Sequence, residues 1–279
     1  MKVSSSHAFV ACVAILALSA CSGSSLSSTP NAPGAGDTST SRSTLALTCA
    51  GSFTPVEHGQ GDDPSPLTYK QLGGGDHLSV DAHGCDVGIY IPSGSTATID
   101  HTDIHDANKY GIFVDDNAKL TVDHTTIEKI GNHSGTAWSP NGVQTGDGLW
   151  YSKSTGTIDH TDIMQYQKNG YAFRHGSSVG VEHSTATGNN TYGVNAQNGF
   201  EYISSNVADF QHNNSTKNHF VVGQTGSGPD TEPSATGYLF CSETGTILTV
   251  ADFGTNHDTA SNNDVNFVAS PSGTAPECN

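Results

Sequence analysis

Positive charge is scarce in this chain: 10 Lys and Arg stand against 27 Asp and Glu, a formal net charge of -17. A surface of that sign repels polyanions, which argues against a nucleic-acid partner unless cations intervene. Charge of either sign is thin, at 13% of residues, which speaks against coiled coils and helical bundles, built as they are from Ala, Glu, Lys and Leu. The apolar stretch Ala8 to Leu18 is too short to span a bilayer as a mature helix. No Cys-His metal spacing is present. Against these absences stand 32 glycines in 279 residues, with many Ser, Thr and Asn, a β-rich and turn-rich composition on a chain long enough for one large domain or two small ones.

Lys2 precedes the apolar stretch, which has the shape of an export-signal core. The stretch runs into Leu18-Ser19-Ala20-Cys21, a quartet that resembles the bacterial lipoprotein cleavage box, in which the cut falls before the cysteine and the thiol carries a diacylglycerol. The resemblance implies a signal peptide over residues 1–20, a lipid on Cys21 and, with Ser22 following, the outer membrane or cell surface as the destination. An ordinary secretory signal with an incidental Cys21 is the alternative. Residues 21–44 hold almost no bulky apolar group and read as a flexible Ser/Thr/Gly/Pro tether. The folded domain is expected over residues 45–279. Beyond Cys12 and Cys21, four cysteines remain, Cys49, Cys85, Cys241 and Cys278. An even number in an exported chain suggests two disulfides, and of the three possible pairings sequence proximity favours Cys49 with Cys85 and Cys241 with Cys278, one near each end of the fold.

Self-similarity is the strongest signal. Ile99-Asp100-His101-Thr102-Asp103-Ile104 is echoed from Val122, Ile158 and Val181 and more weakly from Ile203, at steps of 23, 36, 23 and 22 residues. A second register, Gly88-Ile89-Tyr90-Ile91, returns at Gly111, Gly148, Gly170 and Gly193 and at His219, with steps of 23, 37, 22, 23 and 26. Short apolar runs every 23 residues or so, with polar turns between, fit one coil of a β-solenoid, whose apolar side chains are hidden only when another coil stacks above at about 4.8 Å. The recurrent Gly-Ile-x-Ile, polar turn, x-Ile-x-x-Thr-x-Ile pattern resembles the right-handed parallel β-helix repeat of the pectate lyases and their relatives, over residues 88–222. The resemblance implies an all-β fold, a single-stranded right-handed solenoid, over residues 45–279. It specifies fold better than activity.

Each coil places a small polar residue at one turn, Thr102, Thr125, Thr161, Ser184 and Asn206, where the family often stacks asparagines. One residue earlier stand His101, His124, His160 and His183, beside Asp100, Asp123, Asp159 and Glu182. This ladder reads first as neutral imidazoles stacked at coil spacing, each oriented by a carboxylate, and second as a metal stripe.

Alternation along the strands turns Tyr90, Phe113, Trp150, Ala172, Asn195 and Val221 outward. Tyr90, Phe113 and Trp150 would then form an exposed column suited to stacking on sugar rings. An insertion within Gly131–Asp147 carries Trp138 and either joins this surface or packs over it. Sugar contacts are therefore expected from Tyr90, Phe113, Trp150, Trp138 and Asn195. Just past the same strands lie Asp115, Ser152, Arg174 and Gln197, then Asp116, Lys153, His175 and Asn198. Lyases of this fold abstract a proton beside a uronate carboxylate, so Lys153, Arg174 and His175 are the candidate catalytic groups, with calcium on Asp115 and Asp116 as the expected cofactor. Of the polygalacturonase pattern only Asp115-Asp116 and His175-Gly176 have echoes, so hydrolysis of that kind is not expected. The expected function is polysaccharide binding, extending to β-elimination of an acidic glycan. The competing reading is a non-catalytic structural or adhesive envelope protein.

Overall fold

In each coil the inward residues of the Gly-x-x-x strand alternate with outward ones, and stacking turns that alternation into continuous columns. The computed structural model describes residues 48–56, 66–131, 145–188, 197–219, 235–242 and 256–271. Every regular element among them is a strand. Sheet A orders β1 (Gly51–Phe53), β2 (Leu67–Leu72), β5 (Val87–Ile91), β8 (Tyr110–Val114), β11 (Asp147–Ser152), β14 (Asn169–Arg174), β17 (Asn198–Ile203), β20 (Thr236–Ser242) and β22 (Val265–Pro271). Sheet B holds β3 (Gly75–Asp76), β6 (Thr96–Asp100), β9 (Lys119–Asp123), β12 (Thr155–Asp159), β15 (Ser178–Glu182) and β18 (Asn206–Gln211). Sheet C holds β4 (Ser79–Asp81), β7 (Asp103–His105), β10 (Thr126–Ile130), β13 (Asp162–Tyr166), β16 (Thr185–Thr187), β19 (Asn214–Thr216) and β21 (Thr259–Ser261). The chain visits A, B and C in turn, and all neighbours pair in parallel except β1, which folds back antiparallel on β2. This is an all-β right-handed parallel β-helix.

Two inward columns of sheet A make the centre of the core. Ile89, Ile112, Leu149, Tyr171, Phe200 and Tyr238 form one, and Ile91, Val114, Tyr151, Phe173, Tyr202 and Phe240 the other, all buried. Burial stabilises each such side chain by about 1.5–3 kcal/mol. The columns begin aliphatic and end aromatic, with Tyr171 and Phe200 stacked at 4.5 Å and Phe173 and Tyr202 tilted against each other at 4.2 Å. The buried tyrosines satisfy their hydroxyls on backbone carbonyls: Tyr151 donates to Leu120 at 3.1 Å, Tyr171 to Thr161 at 2.7 Å and Tyr202 to Val179 at 3.1 Å. The register glycine sits where A meets C. A Cβ on Gly111 would fall 2.5 Å from Cγ2 of Ile127, so no other residue fits without a shift.

The register departs from expectation after β14. Gly199-Phe200-Glu201-Tyr202, not Gly193-Val194-Asn195-Ala196, pairs with Gly170-Tyr171-Ala172-Phe173, and Gly237-Tyr238-Leu239-Phe240 follows, not His219 to Val222. The same slip moves the turn: Phe210, Gln211 and His212 follow Val181, Glu182 and His183, so Asn213, not Asn206, continues the small polar ladder. A second Gly-apolar-x-apolar tetrapeptide six residues upstream kept a period of 23 and so disguised a longer coil. Toward the C-terminus, β20, β21 and β22 extend the stack as further parallel strands.

Cys49 and Cys85 form a disulfide with Cα atoms 5.7 Å apart, tying the segment before β1 to the turn before β5. Cys241 is also disulfide-bonded. Its expected partner Cys278 lies outside the described residues, as do Cys21, the tether, Trp138 and Asn195.

Candidate functional site

The outer face of sheet A carries the predicted sugar contacts, and burial corrects that prediction. Tyr90, Phe113 and Trp150 are 9%, 0% and 2% exposed, so they offer no open stacking column. The antiparallel strand β1 explains part of this: Phe53 stacks on Tyr90 at 3.6 Å between centroids and lies 5.3 Å from Phe113. Tyr110 closes on Trp150 edge-on at 5.7 Å, and the Arg174 guanidinium sits 5.7 Å above the Trp150 ring. Alternation fixes which side of the solenoid wall a residue occupies. Whether water lies on that side is a separate matter.

Asp115 and Asp116 are buried too, and the expected solvent-facing carboxylate pair is replaced by an internal network. Asp115 accepts from the Tyr90 hydroxyl at 3.0 Å and from the Asp116 amide at 2.9 Å, while Asp116 accepts from Ser152 at 2.8 Å. Burial first, and the Asp115 charge second, push the Tyr90 hydroxyl well above its ordinary pKa. Three of the four carboxylate oxygens thus already hold donors from the chain. Each of these oxygens keeps a lone pair beyond the bond it accepts, and calcium, which takes about six to eight oxygens, would need further ligands besides this buried pair.

Moving along the same face, the side chains become charged. Asp147, Asn169, Asn198 and Thr236 occupy one column, each immediately before a register glycine, and Glu201 follows Trp150 and Ala172 in the next. Asp147 is 0% and Glu201 2% exposed. Glu201 takes a salt bridge from Arg174, accepts from Asn198 Nδ2 at 2.7 Å and from Asn169 Nδ2 at 3.4 Å, and Thr236 donates to Asn198 Oδ1 at 2.5 Å. Neither oxygen of Asp147 meets a donor at hydrogen-bonding geometry among the described residues. Burial, and then the Glu201 charge, raise the Asp147 carboxyl well above the usual carboxylate range, against the pull of Arg174, Lys168 and the nearby Asn169 amide. One buried carboxyl inclined to keep its proton thus stands beside a second that is salt-bridged to a guanidinium. A carboxyl perturbed in this way by burial and a neighbouring charge marks functional sites more often than structural ones. Asp147 and Glu201 were not foreseen as site residues.

The expected catalytic groups divide. Lys153 and His175 are exposed, occupy equivalent turn positions on adjacent coils at φ 46° and 57°, and are joined by the Lys153 amide donating to the Arg174 carbonyl at 3.1 Å. Arg174 is half-buried and committed to Glu201. Gln197 and Asn198 lie on the expected coil but at the start of β17, about six residues ahead of the expected alignment, since Ile203 is the residue that follows Arg174 in register.

On the opposite side, the turn between B and C bears the histidines. Beyond His101, His124, His160 and His183 it includes His77, His212 and His257, seven rings stacked at 4.7–5.1 Å between centroids. The residue one step further on forms the buried ladder: the Thr161 amide donates to Ser184 Oγ at 3.2 Å, the Ser184 amide to Asn213 Oδ1 at 3.0 Å and the Asn213 amide to Asp258 Oδ1 at 2.7 Å.

With these features in place, one comparison with known proteins bears on the fold. A family described as "Right handed beta helix region" matches residues 78–228, more than half of the chain, and the chain belongs to that family. No curated protein and no solved structure matches it.

Proposed function

We propose that the chain is an exported β-helix protein, lipid-anchored through Cys21 at the outer membrane or cell surface, that binds an acidic polysaccharide where Lys153, Arg174 and His175 emerge from sheet A. One observation carries the reading. In a chain of net charge -17 with only two arginines, Lys153 and His175 stand exposed on adjacent coils beside the half-buried Arg174, at one end of β14. A local positive edge on an acidic body selects anionic groups that reach it in the right pose and repels the rest. The buried Tyr90, Phe113 and Trp150 would support this edge from beneath rather than meet the sugar, and calcium would act as a counter-ion between acidic protein and acidic polymer.

The proposal extends to β-elimination. Lys153 or His175 would take the proton α to a uronate carboxylate, the electron pair would form the new C=C bond as the bond to the glycosidic oxygen breaks, and that oxygen would take a proton from water. Arg174, positioned by its salt bridge to Glu201, would offset the charge gathering on the carboxylate.

The test uses the full chain with a panel of acidic and neutral polysaccharides, with and without calcium, followed by calorimetry and by the ultraviolet absorbance of unsaturated products. The Lys153→Ala, His175→Asn double variant leaves the Arg174–Glu201 pair intact. Binding to acidic polymers that weakens at least about tenfold in the variant, about 1.4 kcal/mol, supports the reading. Product that vanishes with it establishes the lyase. Equal binding by both proteins, or none, would leave a structural or adhesive envelope protein as the function.

A further inference from the structure

The histidine turn carries chemistry that the fold alone does not require. Every ladder histidine has positive φ, from 41° at His124 to 60° at His257. That left-handed conformation suits Asn, Asp and Gly as well as His, so the backbone does not explain seven imidazoles in a row. Four of the seven touch the carboxylate just before them: Nδ1 lies 2.5 Å from Asp76 in His77, 2.7 Å from Asp100 in His101, 2.7 Å from Asp123 in His124 and 2.9 Å from Asp159 in His160. Asp159 also reaches across coils to Nδ1 of His183 at 3.1 Å. A carboxylate on Nδ1 keeps the proton there and leaves the Nε2 lone pair for something else, the arrangement that orients histidine ligands in metal sites. The side chains of His101, His124, His160 and His183 are 49%, 48%, 48% and 42% exposed, so the ring edges are open to solvent.

We propose that this stack binds divalent transition-metal ions of borderline softness, Zn²⁺, Cu²⁺ or Ni²⁺, each held by Nε2 of two histidines on adjacent coils. Imidazole with carboxylate behind it suits these ions, whereas calcium takes oxygen ligands. The row of Asp76, Asp100, Asp123, Asp159 and Glu182 alongside makes the local field attractive to a cation. The spacing sets the geometry. Two ligands of a tetrahedral ion with bonds of about 2.0–2.1 Å stand about 3.4 Å apart. Rings at 4.8 Å must therefore lean toward each other, by about 0.7 Å at each tip, and half-exposed side chains have room for that. His160 and His183 are tied through Nδ1 to one carboxylate, that of Asp159. A ring serves one ion at a time, so seven rings take at most three ions, with occupied pairs about 10 Å apart, near the screening length of physiological salt.

Adjacency is what the experiment must isolate. Two variants of the full chain each replace three ladder histidines by asparagine, which tolerates the same φ. The alternating variant, His101→Asn, His160→Asn, His212→Asn, leaves four rings and no neighbouring pair. The terminal variant, His183→Asn, His212→Asn, His257→Asn, leaves four rings that are all neighbours. After chelator treatment, Zn²⁺ and Ni²⁺ are titrated calorimetrically and Cu²⁺ is followed by electron paramagnetic resonance. The native chain should take two to three ions, with two coupled nitrogens per Cu²⁺. The terminal variant should keep up to two ions and the alternating variant should lose ladder binding altogether. Asp159→Asn should weaken the His160–His183 pair by about 10- to 100-fold. Metal-free melting curves report whether each variant is folded. Equal uptake by the two histidine variants, or no uptake by the native chain, overturns the proposal.

Discussion

Two surfaces of this solenoid repeat once per coil and were built by opposite rules. At the turn between sheets B and C the same residue returns rung after rung, and seven imidazoles lie ring on ring at 4.7–5.1 Å in solvent. On the outer face of sheet A the residue changes with every coil, from Tyr90 and Phe113 through Trp150 and Ala172 to Glu201 and Leu239, and all of these are buried. An exposed rung meets only its like above and below, so one side chain repeated is a stable solution. A buried rung must also satisfy whatever lies over it, and that differs from β1 at one end to the Arg174–Glu201 pair further along. On these two outer surfaces the uniform column is the one that faces water and the broken one faces protein.

The strongest way to break this comparison is Phe113→Ala. A side chain with no exposed area, packed among Tyr90, Tyr110, Trp150 and Phe53, should cost about 3–5 kcal/mol when removed. Were the outer face open to solvent, the loss in denaturant midpoint would stay within about 0.5 kcal/mol. Next in size is Glu201→Ala, which leaves the half-buried Arg174 without its carboxylate and should destabilise by about 3 kcal/mol. Replacing both partners by apolar residues, Arg174→Met with Glu201→Leu, should recover most of that loss in the same unfolding experiment. If the double variant is as unstable as the single one, the pair is held for the packing of Arg174 on Trp150 and not for its charge.

The split between the two surfaces also decides what could be read from the residues alone. Ile89, Ile91, Ile112 and Val114 revealed the strands because alternation and the register glycine recur unchanged through β14. The step from Gly170 to Gly199 is 29 residues, and Gly193 lay nearer to the expected place, so arithmetic chose the wrong coil. Histidine would have corrected it, since Gln211-His212-Asn213 and Asn256-His257-Asp258 carry the turn signature that Ser204-Ser205-Asn206 lacks. The buried charges were legible in a similar way. Asp147, Asn169, Asn198 and Thr236 each precede a register glycine where Tyr110 stands in an earlier coil, and a polar residue there breaks an apolar column. What no periodicity contains is the covering of sheet A by β1, because that contact is made once, between segments with no repeat in common.

The smallest effect sharpens the comparison at the point where the ordered turn stops being uniform. Asp258 occupies the buried ladder position that Thr102, Thr125, Thr161, Ser184 and Asn213 fill on earlier coils, and it alone can carry charge. Its Oδ1 accepts the Asn213 amide at 2.7 Å, its Oδ2 is buried without a donor among the described residues, and burial pushes its carboxyl up to about 6, against the opposing pull of the Asn213 donors and His257. An acid whose folded pKa exceeds its unfolded one holds its proton more tightly in the native state. It therefore penalises folding as pH rises from about 4 to about 6, and the penalty persists above that range. Asp258→Asn keeps the Oδ1 acceptor and removes the charge. The variant should match the native chain near pH 4 and be more stable by about 2 kcal/mol near pH 7.5, with the difference opening between those limits in denaturant titrations. A difference independent of pH would show that the ladder tolerates a charged last rung as readily as a neutral one, and that the end of the stack is open to water in a way its middle is not.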